Sequence, residues 1–213
     1  MSNLASIALQ SEIKRSLEWM EQNIGPMPEG AKLNLGCGRM KLPANEGWIN
    51  VDANPAMEPE KTLNLDLINW GLVFHKDHFE FCVISHLIEH IKDLVAFMQG
   101  LHYCMKEGAK VFIVAPYAWS NAAVEDPTHC RYITENSFSV FDRGTLHKQA
   151  AHGYEFDCDF KHIQVAFVPT VKYRGIKDPE ELMRLKETRI NIVRDVQILL
   201  ETVKPVREVR ETP

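Results

Sequence analysis

The apolar positions change period several times along the chain, and each change predicts an element. Leu9, Ile13, Leu17, Met20 and Ile24 recur every three to four residues, which makes one face of a helix that Gly25-Pro26 closes. Short apolar runs then follow. Lys32 to Leu35 (KLNL) reads as a strand entering Gly36-Cys37-Gly38, and Trp48 to Val51 (WINV) as a strand ending at Asp52. Thr62 to Leu65 is a weaker third strand ending at Asp66, Phe79 to Ser85 (FEFCVIS) a buried fourth, and Lys110 to Ala115 (KVFIVA) a buried fifth. Between the last two, Leu94, Phe97, Met98, Leu101 and Met105 mark the inner face of a helix over Ile91 to Met105, broken by Gly108.

The segment from Pro116 to Arg131 is polar and mixed, too long for a simple turn, and Thr134 to Asp142 carries a short predicted helix. Asp157 to Tyr173, rich in Phe, Val, Ile and Tyr, is expected to form an antiparallel pair. Asp178-Pro179-Glu180-Glu181 is a strong helix start, with a capping Asp, Pro in the first turn and acids at the positive end of the dipole. That helix is expected to run to about Val203, with Leu182, Leu185, Val193, Val196 and Leu200 on one face.

Strands alternating with helices predict an α/β fold with a doubly wound, Rossmann-like sheet, mostly parallel with an antiparallel edge strand and extra N- and C-terminal helices. No repeat or interdomain linker divides the chain. One domain is expected over 1–213, with 1–30 as N-terminal helix and lead-in, 31–175 as the core and 176–213 as C-terminal helix and tail.

Composition narrows the classes. The chain has 213 residues, 45% hydrophobic and 25% charged, enough for a full core without staples. A formal net charge of -5 argues against a dominant nucleic-acid footprint. The five cysteines are odd in number and form no C-x-x-C, which suits a reducing compartment. No apolar run reaches the ~20 residues of a membrane span, and the N-terminus lacks a signal-peptide core. A cytoplasmic location is the resulting expectation.

The candidate chemistry begins at the glycine turn. Gly36 and Gly38 let the backbone turn tightly and let a ligand approach closely at the end of the first strand. Asp52, sixteen residues after Gly36, ends the second strand, where a carboxylate can accept both hydroxyls of a ribose. Asp66 ends the third, where it can accept from an adenine amine. Together they describe an adenosine pocket. Met40 and Lys41 stand where further glycines would extend the turn into a pyrophosphate-binding run, which disfavours a nicotinamide dinucleotide.

His86 to His90 reads HLIEH, the H-x-x-E-H string of inverted zinc proteases. That chemistry needs the ligands on a long helix, whereas this string leaves the end of a buried strand. No metal is expected, and His90 reads as structural.

"LNLGCG", "GWINVDANP", "ISHLIEHI" and "EGAKVFIVAPY", in this order, resemble the class I S-adenosylmethionine-dependent methyltransferases, and among them the small, type-11-like bacterial members. The resemblance covers about Ala31 to Tyr117 well and the rest more loosely. It implies S-adenosyl-L-methionine as cofactor, held by Asn34, Gly36, Cys37 and Gly38, by Asp52 and Ala53, and by Asp66 and Leu67. Ser85 and His86 would lie beside the methionine part. It also implies that the loop after the fifth strand, which carries an Asp-Pro-Thr-His-x-Arg-Tyr run, recognises the acceptor. Tyr117, Arg131 and Tyr132 are the substrate-binding candidates, with Arg131 able to grip an anionic acceptor. His129 is the first candidate for a catalytic base and His86 the second.

The expected activity is methyl transfer to a small polar acceptor, at oxygen or nitrogen. A cofactor-binding relative without turnover and a methyltransferase acting on protein or RNA are the alternatives, with an NAD-binding oxidoreductase and a zinc hydrolase further away. A D/N-P-P-Y-type run is missing after the fourth strand, so DNA amino-methylation is not expected. The oligomeric state stays open, a homodimer included.

Overall fold

The computed structural model describes residues 26–145 and 156–208. The helix predicted on Leu9 to Ile24 lies outside the described residues. Seven strands form one sheet: β1 (Lys32–Leu35), β2 (Trp48–Asp52), β3 (Lys61–Thr62), β4 (Phe79–Ser85), β5 (Met105–Pro116), β6 (Phe160–Pro169) and β7 (Val193–Thr202). Their order is β3-β2-β1-β4-β5-β7-β6. β1 to β5 pair in parallel, while β7 runs antiparallel to both β5 and β6. The chain moves outward from β1 in one direction through β2 and β3, then crosses back to β4 and β5. The carboxyl ends of β1 and β4 therefore flank the point where the strand order reverses, the usual ligand crevice of such sheets.

Among the described residues the helices are α1 (Trp70–Val73), α2 (Leu94–Cys104), α3 (Asn121–Val124) and α4 (Pro179–Thr188). α2 starts where the Asp93 side chain accepts from Ala96 N, and it buries Phe97, Met98 and Leu101 against the sheet. Its predicted range, Ile91 to Met105, is trimmed at both ends.

α4 begins as expected: Asp178 caps it, Pro179 opens it, and Glu180 and Glu181 sit in its first turn. It does not continue to Val203. It ends at Thr188, Asn191 turns in a left-handed conformation (φ 60), and the next ten residues are β7. Val193, Val196 and Leu200 do recur at helical spacing, but Ile192, Val193, Val196 and Ile198 are β-branched. A strand flanked by neighbours and covered on both faces also needs a near-continuous apolar run, so period alone cannot separate it from a buried helix.

The same strand corrects a second expectation. Asp157 to Tyr173 holds one strand, β6, whose antiparallel partner β7 comes from further along the chain. The expected third strand is also shorter: only Lys61–Thr62 pairs with β2, after which Leu63 N donates to Asp52 O and the chain leaves the sheet. The short helix expected in Thr134 to Asp142 is a single 3-10 turn, Ser139–Phe141.

One ion-pair cluster ties the chain's last described turn to the sheet. The buried Asp159 accepts from Arg207 Nε and Nη2, each at 2.7 Å, and from Arg143 N at 3.1 Å. Burial alone would raise the Asp159 pKa, but these donors outweigh it and hold it below the ordinary 3.8. A carboxyl with a lowered folded-state pKa stabilises the fold at pH above its unfolded value, and this contribution is lost as acid protonates it. Urea-unfolding midpoints should therefore fall as pH drops below 3.8. The slope should be shallower in Asp159→Asn, which starts from a lower stability at neutral pH. An unchanged slope in the variant would remove Asp159 from this role.

Candidate active site

The glycine turn sits at the carboxyl end of β1. Gly36 and Gly38 have φ of 69° and 50°. Gly36 N and Cys37 N both donate to Val51 O, at 2.8 and 3.0 Å, so the turn folds over the end of β2. The Asp52 carboxylate closes it: Oδ2 accepts from Gly38 N at 2.7 Å and Oδ1 from Asn54 N at 2.8 Å. An ionised carboxylate offers about four acceptor positions, so two bonds to the backbone leave lone pairs for a vicinal diol. A Cβ on Gly38 would meet nothing within 4 Å, whereas one on Gly36 would stand 2.8 Å from Leu87 Cβ. The turn is thus open on the side of Gly38 and pressed against the exit of β4 at Gly36.

Gly36→Ala should combine a left-handed φ with this clash and destabilise the protein by about 2–4 kcal/mol. A thermal melt within a degree or two of the unchanged protein would contradict that assignment.

The other first-strand candidates have structural employment. Asn34 is buried, and its amide donates to Met40 O at 2.8 Å and to Asn50 Oδ1 at 2.7 Å. Asn50 in turn bonds the backbone of Leu42 in both directions, so the pair pins the segment that returns from the glycine turn. The Cys37 thiol is buried and pushed up to about 11, by burial and then by the carboxylates of Asp52 and Glu60. Ala53 is exposed next to Asp52. Asp66 Oδ1 accepts from Lys92 N at 2.8 Å, which ties the exit of β3 to the segment after β4. Leu67 is 81% exposed.

On the other side of the switch point, Ser85 ends β4 in the core and His86 turns the chain outward with a φ of 51° while its N–H still bonds Val114 O. A 3-10 turn, Ile88–His90, follows, anchored by the fully buried Ile88. It points Glu89 inward. Glu89 is 2% exposed, and neither carboxylate oxygen has a hydrogen-bond donor among the described residues. His86 Nδ1 lies 3.5 Å and His129 Nε2 4.0 Å from Glu89 Oε1. Burial disfavours a charge on His86, but Glu89, with Asp195 adding to it, outweighs this and raises its pKa.

His129 arrives from the loop after β5. Ser120 caps α3 through Ala123 N, and His129 Nδ1 is 2.9 Å from Ala123 O. Cys130 N donates to Glu89 O at 2.9 Å. The Arg131 guanidinium donates to Ile91 O and, at 2.9 Å, to Lys92 O. The loop is therefore stitched across the 3-10 turn, and an open cleft of about 490 Å³ lies between them, lined by His86, Glu89, His90, Pro116, Asp126 and His129 among others. A second cleft, of about 400 Å³, lies by the amino-terminal halves of β4 and β5, away from both the glycine turn and these histidines.

The two catalytic candidates, His86 and His129, thus meet around one carboxylate. The three substrate candidates do not gather there. Tyr117 is buried: its hydroxyl accepts from Lys186 Nζ at 3.2 Å, and Lys186 also pairs with Glu135. Arg131 is committed to backbone carbonyls, and Tyr132 is 64% exposed. Glu89 and His90 lie in the cleft, although the sequence alone points to a structural role for His90 and to none for Glu89. The H-x-x-E-H string was the signal for both.

No family model matches the chain, and no curated protein matches it in sequence. Solved structures do. A S-adenosylmethionine-dependent methyltransferase from Archaeoglobus fulgidus superposes with a TM-score of 0.59 at 18% identity, over 91% of this chain and 93% of the other. Phosphoethanolamine N-methyltransferase 2 from Haemonchus contortus, in complex with S-adenosyl-L-methionine, gives 0.53 at 14% identity, over 90% of this chain and 53% of that one. The [4+2]-cyclase SpnF gives 0.55 at 10% identity, over 91% and 82%. The seven-stranded order with one reversed strand, and the crevice it places between β1 and β4, give this chain the fold of the class I S-adenosylmethionine-dependent methyltransferases.

Proposed function

We propose that the protein moves a methyl group from S-adenosyl-L-methionine to a small polar acceptor, at oxygen or nitrogen. The observation that carries this reading is the placement of two half-sites along one edge of the sheet. The glycine turn, closed by Asp52 and flanked by Asp66, lies at the carboxyl ends of β1 to β3. The histidine-lined cleft opens at the ends of β4 and β5. A nucleoside held by the first would direct its sulfonium methyl toward the second. Transfer is an in-line displacement in which the acceptor forms a bond to carbon as the carbon–sulfur bond breaks. S-adenosylhomocysteine departs as a neutral thioether. Positioning alone can supply ~7–11 kcal/mol of such a barrier.

A hydroxyl acceptor must also lose a proton, and His129 and His86, both lining the cleft, are the proposed groups to take it. All five cysteines are free, which suits the proposed cytoplasmic location. Among the described residues, no helix is long and apolar enough to cross a membrane.

The same fold in a [4+2]-cyclase means that cofactor binding and methyl transfer need separate tests. Calorimetric titration with S-adenosylhomocysteine, and with NAD as the competitor, should give one nucleoside site selective for the former. Labelled methyl donor and a panel of hydroxyl and amine acceptors then test turnover. No binding of S-adenosylhomocysteine by the folded protein would overturn the proposal. Binding without transfer to any acceptor would favour a relative that holds the cofactor without turnover.

A further inference from the structure

We propose that the cleft beside the methyl site is a divalent transition-metal site, with Glu89, His90 and His129 as ligands and an open position for an acceptor oxygen. The inference deepens the methyl-transfer reading and rests on it for its purpose, though not for the binding itself. The ligand atoms of these three residues all lie within 4.8 Å of one another. Two ligands of one tetrahedral ion at about 2.0–2.2 Å would stand about 3.3–3.6 Å apart, so small side-chain rotations would close the set. Two imidazoles and one carboxylate are a donor set that suits zinc, cobalt, manganese or iron, and three protein ligands leave a coordination position free.

The hydrogen bonds around the cluster prepare it. His129 Nδ1 faces the Ala123 carbonyl, which can only accept, so the proton of a neutral ring sits on Nδ1 and the lone pair on Nε2. That nitrogen lies 4.0 Å from both Glu89 Oε1 and the more exposed Asp126 Oδ2. Thr128 settles His90 in the same way. Its hydroxyl donates to Asp126 Oδ1 at 2.6 Å, so its oxygen must accept from His90 Nδ1 at 3.0 Å. His90 is then left with a lone pair on Nε2. A second bond from each ligating ring, to a carbonyl or an oxygen acceptor, is the usual support of a metal-bound histidine. The Cys130 N–H bond to Glu89 O fixes the two ligand-bearing segments against each other.

Glu89 is the independent observation. A buried carboxylate without a hydrogen-bond donor is costly, and an ion would compensate it directly. A protonated His86 at 3.5 Å is the alternative compensation, and it makes no use of His90 or of the orientation of His129. The sequence string therefore holds a metal chemistry in a different form from the protease one. Only the Glu-His pair of HLIEH is used, on a 3-10 turn, and the third ligand comes from the next loop. An acceptor hydroxyl on the ion would have its pKa lowered.

The test uses the full chain, stripped with a chelator and titrated calorimetrically with zinc, cobalt and manganese chlorides, followed by metal analysis after dialysis. One ion per chain is expected, with affinity weakened by about 100-fold or more in each of Glu89→Gln, His90→Ala and His129→Ala. Cys130→Ser should bind as the parent does, because its sulfur points at the carbonyls of Glu89 and Ile91. S-adenosylhomocysteine titrations of the same variants show whether each is folded and keep the two readings apart. Loss of the ion with nucleoside affinity intact supports the site. No stoichiometric ion in the parent overturns it, as does an ion that all three ligand variants retain. An ion site with no S-adenosylhomocysteine binding in the parent keeps the metal inference and sinks the methyl-transfer reading alone.

Discussion

Replacing Asp52 with alanine is expected to remove measurable binding of S-adenosylhomocysteine while the chain stays folded. Two charge-assisted hydrogen bonds to a ribose diol are worth ~1.5–3 kcal/mol each, so the loss should reach roughly 10²–10⁴-fold in affinity. The structure adds a second reason. Asp52 holds Gly38 N at 2.7 Å, so its removal also releases the turn over which the nucleoside would lie. Its place at a strand end, half-buried, limits the damage to the fold. Asp52→Asn separates the two effects, because an amide oxygen can still accept from Gly38 N or from one hydroxyl but carries no charge. An intermediate affinity is expected for it. Calorimetry on both variants, with circular dichroism as the folding control, decides the matter. Unchanged affinity in Asp52→Ala would sink the ribose assignment.

The first half of the fold was legible because its signals are local. A β-strand that runs into Gly-Cys-Gly, a second that stops at an acid and two mainly apolar runs leave little choice, and β1, β2 and β4 lie where those patterns put them, while β5 contains the expected run but begins earlier, at Met105, and takes in Gly108. The second half was less legible because its signals are non-local. β7 is inserted between β5 and β6 by pairing across a long stretch of sequence, and nothing in the run from Val193 to Thr202 announces that neighbour.

The site divides in the same way. Gly36, Gly38 and Asp52 are joined by backbone geometry that short-range pattern predicts. Tyr117 and Arg131 looked like substrate contacts because loops at this edge often hold substrate. Their partners, Lys186 on α4 and the carbonyls of Ile91 and Lys92, are distant in sequence. HLIEH was read against one metal geometry, a helix that presents both histidines. The chain instead exits a strand at His86 in a left-handed conformation, and this rotates Glu89 and His90 toward a loop whose approach no spacing encodes.

His129→Ala is expected to divide transfer from cofactor binding. Methyl transfer should fall by ~10²–10⁴-fold, while affinity for S-adenosylhomocysteine changes by less than about threefold. The argument is geometric. The proposed nucleoside contacts belong to the ends of β1, β2 and β3, whereas His129 follows β5 and turns its Nε2 toward Glu89 at 4.0 Å. The expectation holds whether that nitrogen takes a proton or binds an ion, since either role acts on the acceptor and not on the adenosine.

Arg131→Ala should behave differently. Its guanidinium bridges the carbonyls that follow the 3-10 turn, so its loss loosens the loop and should raise the Michaelis constant for the acceptor more than it lowers turnover. Arg131→Lys should not restore it, because an ammonium cannot reproduce the planar fork that spans two carbonyls. A fall in S-adenosylhomocysteine affinity in His129→Ala as large as that in Asp52→Ala would place the loop in the cofactor site. The acceptor would then have to enter from another side of the sheet edge.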